Sequence, residues 1–201
     1  MLKSLKVENF KSIVDKDICL KNLNVLTGLN GSGKSSILQI LALLKQSINN
    51  NETGEKLFLF GNLLSLGKSK DILSEYSTSN NIKFNIELIN NENNESSTIN
   101  LNYSINDYEN ADVIKGYVDG NINDLRSVLN NLQYIQADRI SPRSSYPQAG
   151  TFNRESGWLG NNGEYTIDFI NQNENFLVSE NRSMKDQYSS IDSAFRNAIA
   201  P

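Results

Sequence analysis

Residues 28–36 read GLNGSGKSS, and no other stretch limits the possible folds of this chain so strongly. Gly28 to Ser35 satisfies the pattern G-x-x-x-x-G-K-[ST], which arises by chance in under about one sequence of this composition in a hundred. Glycines at these positions let backbone N–H groups turn inward around phosphate oxygens. A helix starting near Gly33 would add the positive end of its dipole. Lys34 would reach the β- and γ-phosphates of a nucleotide, and the Ser35 hydroxyl would take one position on Mg²⁺.

The flanking residues stand in the order this chemistry requires. LNVLTG at 23–28 reads as a strand that carries Val25 and Leu26 into the loop. After the loop, SILQILALLKQSI is apolar on nearly all sides, which predicts a buried helix ending around Asn49–Asn51. The P-loop strand is expected to be central, with Ile37, Leu38, Leu41 and Leu44 buried beneath it.

Upstream, residues 2–7 and IVDKDICL at 13–20 read as strands. Downstream, IKFNIELI at 82–89 alternates Ile82, Phe84, Ile86 and Leu88 with polar residues, and INLNYSI at 99–105 repeats the pattern with Ile99, Leu101, Tyr103 and Ile105. The asparagine-rich NNENNE between them predicts an antiparallel hairpin. The chain holds 31 asparagines, and their clusters act as turn signals throughout. NINDLRSVLNN at 121–131 predicts an Asn-capped helix leading into a strand at LQYIQAD, 132–138. Residues 139–163 read as a loop, and GEYTIDFINQ (163–172) and SSIDSAFRNAIA (189–200) as helices. The predicted organisation is one lobe, 1–201: strands, P-loop and helix over 1–50, a β-rich part over 51–138, and loop and helices over 139–201.

Composition removes several kinds of chemistry. Cys19 is the only cysteine and histidine is absent, so a disulfide framework, a Cys/His zinc site and an imidazole-based triad are excluded. The N-terminal MLKSLKVENF lacks the apolar core of a signal peptide, and ILQILALL at 37–44 is far short of a membrane span. A cytoplasmic location without membrane attachment is expected. A net charge of −4 argues against a surface that coats nucleic acid generally, and leaves open a local basic groove on an acidic body.

The letters G-x-N-G-S-G-K-S-S, close behind the N-F-K-S of Asn9 to Ser12, resemble the head domains of SMC proteins, RecF and the OLD-type ATPases, within the ABC-type ATPase superfamily. LSLGKSKDIL at 64–73, YIQADRISPRSSYP at 134–147 and GEYTIDFI at 163–170 are similar to bacterial AAA-labelled ATPases with a C-terminal domain of unknown function, beside the OLD and PtuA-like anti-phage proteins. The resemblance implies an α/β P-loop NTPase of ABC-ATPase head type, N-terminal lobe, with a mixed sheet, an antiparallel β layer and flanking helices. It implies ATP and Mg²⁺ at Gly28, Asn30, Gly31, Ser32, Gly33, Lys34, Ser35 and Ser36, with Ser35 on the metal. Asn30 would sit near the γ-phosphate, and Lys11 and Ser12 at the nucleotide's outer edge. The implied partners are a homodimer or a second ATPase head, with DNA or a nuclease effector beyond it. Arg139 and Arg143 are open to two readings: contact with phosphate, DNA or a partner carboxylate, or hydrogen bonds fixing their own loop.

ABC-type hydrolysis also needs a carboxylate pair after a buried apolar strand, and a signature loop. No run of four apolar residues is followed by D-E, D-D or E-N, and no L-S-G-G-like signature occurs. Asp138 follows LQYIQA, where Gln133 and Gln136 interrupt the apolar run. In the related ATPases these parts lie further along. The expectation is an N-terminal portion of a head, with its catalytic residues unassigned. The alternative is an ATP-sensing interaction module that hydrolyses nothing. A small-GTPase-like or kinase-like P-loop reading is weaker, and the N-K-x-D that would recognise guanine is absent.

Overall fold

The computed structural model describes residues 1–90, 95–105 and 111–175. The predicted helix at 189–200 and most of the NNENNE turn lie outside the described residues. The chain divides into two compact units, Met1–Leu132 and Gln133–Pro201.

The first unit is built on a six-stranded sheet. Its strands are β1 (Leu2–Phe10), β2 (Ile13–Cys19), β3 (Lys56–Phe58), β4 (Asn81–Ile89), β5 (Ser96–Ser104) and β6 (Val113–Asp119). They run in the order β2-β1-β4-β5-β6-β3, and every pairing is antiparallel. The predicted hairpin is therefore present, with Phe84 opposite Leu101 and Ile86 opposite Ile99. Period-two alternation puts Leu5, Val7, Phe84, Ile86, Ile99, Leu101 and Tyr103 in the core. Lys83, Asn100 and Asn102 stand on the solvent side. Phe84 forms an edge-on contact with Phe10 at 5.8 Å and a tilted one with Tyr103 at 6.2 Å. The Tyr103 hydroxyl donates to the Gly54 carbonyl at 2.7 Å, which satisfies its one buried polar atom.

The helices described in this unit are α1 (Lys34–Asn50), the single-turn α2 (Ser69–Ile72) and α3 (Ile122–Asn130); α1 packs on β3 and on α3, and α3 also touches β5. Asn121 caps α3 as expected, its side chain accepting from the Asn123 N–H at 3.1 Å. At the other end of α3, the Lys45 ammonium donates to the carbonyls of Asn130 and Leu132, at 3.0 and 2.8 Å. A cation there meets both the orphan carbonyls and the negative end of the dipole. Gln46 and Ser47 tie α1 to the β3 segment: Gln46 donates to the Phe58 carbonyl, and the Ser47 hydroxyl accepts from the Phe58 N–H.

Three expectations for this unit need correction. The sheet is wholly antiparallel rather than mixed. Residues 23–28 form no strand, and Leu23 and Val25 are 82% and 76% exposed instead of central. No described strand pairs with 23–28, so the segment has no ladder neighbours to make it a central strand. The buried residues of α1 are Ser36, Ile40, Ala42, Leu43, Leu44, Gln46, Ser47 and Ile48; Ile37 and Leu41 are half-buried and Leu38 is 49% exposed. Of the four leucine and isoleucine positions expected in the core, only Leu44 is there.

The second unit contains α4 (Thr151–Glu155) and α5 (Thr166–Gln172) among its described residues. LQYIQAD is not a strand. Its glutamines serve the following loop: Gln133 donates to the Gly157 carbonyl, and the Gln136 N–H to the Asn161 carbonyl. The buried Asp168 organises this unit, accepting from the Ala149 N–H at 3.0 Å, the Arg154 guanidinium at 3.2 Å and Gln172 at 2.8 Å. Burial raises the pKa of this carboxyl, but the Ala149, Gln172 and Arg154 donors together outweigh it and hold the pKa below the ordinary value. A lowered folded-state pKa gives stability that is present above the unfolded-state pKa and lost as pH falls through the folded one. Thermal melts from pH 7 to pH 3 are therefore expected to show wild type above Asp168→Asn at neutral pH, with the gap closing below about pH 4. A gap independent of pH would show that the carboxylate charge plays no part.

Candidate phosphate-binding site

The loop between residue 28 and α1 turns on three glycines with positive φ: Gly28 at 149°, Gly31 at 81° and Gly33 at 89°. Each has a distinct reason to lack a side chain. At Gly31 an added Cβ would meet nothing within 4 Å, so this backbone faces open space where a ligand can approach it closely. At Gly33 an added Cβ would press on Ile13 Cγ1 and Ser12 Oγ, both at 3.1 Å. Gly33 thus brings the β1–β2 turn against the start of α1 while serving as its left-handed N-cap.

No side chain caps that helix start. The first-turn N–H groups have no intrahelical acceptor, and together with the dipole they favour an anion. Lys34, the first helical residue, folds its ammonium back onto the loop carbonyls of Gly28 and Leu29, at 2.8 and 2.6 Å. Ser35 is exposed beside it and Ser36 is buried; Asn30 and Ser32 are exposed in the loop. The Ser32 hydroxyl lies 3.0 Å from the place a Cβ on Gly28 would take.

The N-F-K-S turn is the second component. Asn9 and Lys11 both hold left-handed backbone conformations, φ 60° and 52°, which cost L-residues about 1 kcal/mol or more each. Neighbouring bonds over-determine the turn. The Lys11 N–H donates to the Ile72 carbonyl at 2.8 Å, the Ser74 N–H to the Asn9 carbonyl at 3.1 Å, and the Asn9 amide to Asn81 O at 2.9 Å. The Lys11 ammonium does not point into the loop; it donates to Gln39 Oε1 on α1 at 2.9 Å. Burial lowers its pKa, and the attraction of Asp71 partly opposes this.

The structure therefore brings Ser12, Gly33 and the α1 start together, while Lys11 is turned aside. Gln39 escaped the sequence reading. Its signal was a lone amide in the apolar run ILQILALL. Arg139 and Arg143 are exposed, and their loop is held through backbone N–H groups, from Arg139 to Ala137 O and from Arg143 to the Tyr146 hydroxyl. Asp138 is exposed as well, and the described residues contain no cluster of three His, Cys, Asp or Glu side chains. Mg²⁺ riding on nucleotide phosphates needs few protein ligands, so the Ser35 hydroxyl at the loop edge fits that role. Bound there, the metal would supply charge against the phosphate oxygens.

A glycine loop feeding an uncapped helix whose first residue is lysine defines the P-loop nucleotide-binding class. Residues 23–200 match the family model described as "AAA domain, putative AbiEii toxin, Type IV TA system". The match spans most of the chain, which belongs to this family of AAA-type P-loop ATPase domains. No curated protein matches the chain. No helix among the described residues is long and apolar enough to cross a membrane.

Proposed function

We propose that this chain binds ATP with Mg²⁺ and forms the N-terminal lobe of an ABC/SMC-like ATPase head. The supporting observation is the uncapped start of α1 under three positive-φ glycines, with Lys34 as its first residue. In this reading Gly28, Asn30, Gly31, Ser32, Gly33, Lys34, Ser35 and Ser36 surround the phosphates, Ser35 holds the metal, and Ser12 borders the nucleotide. Leu23, Val25, Leu29 and Leu38 lie exposed around the loop, an apolar surface suited to further strands that complete the head. Head-to-head dimerisation, and service in DNA metabolism or anti-phage defence, follow from the resemblance to SMC, RecF and OLD-type heads.

A second reading, an ATP sensor that binds a partner without turnover, is favoured by one observation: Asp138 is exposed in a segment that is not a strand. A P-loop places the γ-phosphate but does not aim a water molecule at phosphorus. The 201-residue chain is expected to bind ATP·Mg²⁺ in calorimetry and to release phosphate only at a trace rate. Turnover near about 1 s⁻¹, within the usual enzyme range, would show that the carboxylate is already in this chain. Absence of any ATP binding by the folded protein would remove both readings.

A further inference from the structure

We infer that Gln39 parks the Lys11 ammonium beside the P-loop and releases it to the terminal phosphate of a triphosphate, so that this pair reads ATP against ADP. The inference rests on the nucleotide reading above and adds a means of telling the two nucleotides apart.

Three observations converge on it. Lys11 is a half-buried cation whose direct acceptor is a neutral amide, Gln39 Oε1 at 2.9 Å. No carboxylate pairs with it within ion-pair distance among the described residues. Such a cation gains more from an anion than from the amide it holds.

The second observation is placement. Gln39 stands four residues after Ser35 on α1, hence on the same helical face and just over one turn, ~6 Å of helical rise, behind it. The neighbouring Ser12 already packs on Gly33. Lysine carries its charge on a flexible four-carbon stem, so in this reading a rotamer change takes the ammonium from Gln39 towards the loop.

The third is the rigidity of the base. The left-handed Lys11 backbone is pinned by Ile72 O and flanked by the Asn9–Ser74 bond. The side chain can therefore move while its Cα stays in place. A diphosphate, lacking the terminal group, would leave Lys11 on Gln39.

The test is calorimetric affinity for ATP and ADP, each with Mg²⁺, in wild type and variants whose melting temperatures are checked. Lys11→Met is expected to weaken ATP about 10-fold or more, as for a lost charged hydrogen bond, and to change ADP by less than about 2-fold. Lys11→Arg keeps the charge and should retain the preference for ATP. Gln39→Met removes the competing acceptor and should tighten ATP about 2- to 10-fold, with ADP unmoved. In the Lys11→Met background, Gln39→Met should have no effect on either nucleotide. Equal changes for ATP and ADP, or a Gln39→Met effect that persists without Lys11, would overturn the inference and reduce the pair to a structural contact. If Lys34→Ala loses both nucleotides while these variants change nothing, only the sensing role falls. If wild type binds neither nucleotide, the nucleotide reading falls first and takes this one with it.

Discussion

Replacing Lys34 by alanine is expected to weaken ATP binding about 10- to 100-fold, the loss of a charge-assisted contact of roughly 1.5–3 kcal/mol. The ammonium now bonds the carbonyls of Gly28 and Leu29. Those acceptors are neutral, so exchanging them for phosphate oxygens is favourable. The loop backbone should survive the substitution, because its turns are set by glycine φ angles and by the Ser32–Leu29 bond rather than by the amine. Calorimetry on folded wild type and Lys34→Ala checks this, with a thermal melt as the control. Equal affinities would place the nucleotide elsewhere or nowhere.

The largest expected effect on stability belongs to Phe84→Ala, at about 3–5 kcal/mol. Phe84 is 1% exposed at the middle of the sheet's inner face, between Phe10 of β1 and Tyr103 of β5. Truncation removes the apolar area and both ring contacts, and leaves a cavity that strands hydrogen-bonded on both sides cannot close. Against a total domain stability of about 5–15 kcal/mol this is a large fraction. The urea midpoint should fall with little change in slope, and Phe84→Leu should lose much less. A loss under about 1 kcal/mol for the alanine variant would mean that this face is not the core.

These two residues differ in how they were legible. Phe84 was identified by alternation alone, because a strand with one wet face must alternate and IKFNIELI does so without interruption. Lys34 was identified by spacing, since the phosphate loop needs glycine and lysine at set intervals whatever surrounds them. The β6 strand was not legible. Gly116 breaks its pattern, and the reason lies on the neighbouring strand: a Cβ there would come within 2.4 Å of the Asn102 carbonyl and 2.5 Å of the Tyr103 ring. Likewise β3 has only three residues, too few for a period to register.

What local pattern decided, then, was the hairpin, the phosphate loop and the extents of α1 and α3, since each depends on interactions within a few residues. Tertiary structure decided the rest. Helix α1 is apolar on nearly all sides, so its period could not choose a face; packing did, burying Ile40, Leu43 and Ser47 (the last against the Phe58 N–H of β3) and leaving Leu38 exposed. The segment 23–28 has the composition of a central strand but not the neighbours, and strand pairing is a property of two segments, never of one. Lys11 shows the same division most sharply. Its place in N-F-K-S pointed to the nucleotide, but only the packed turn, with Gln39 brought alongside from α1, sets where its charge rests.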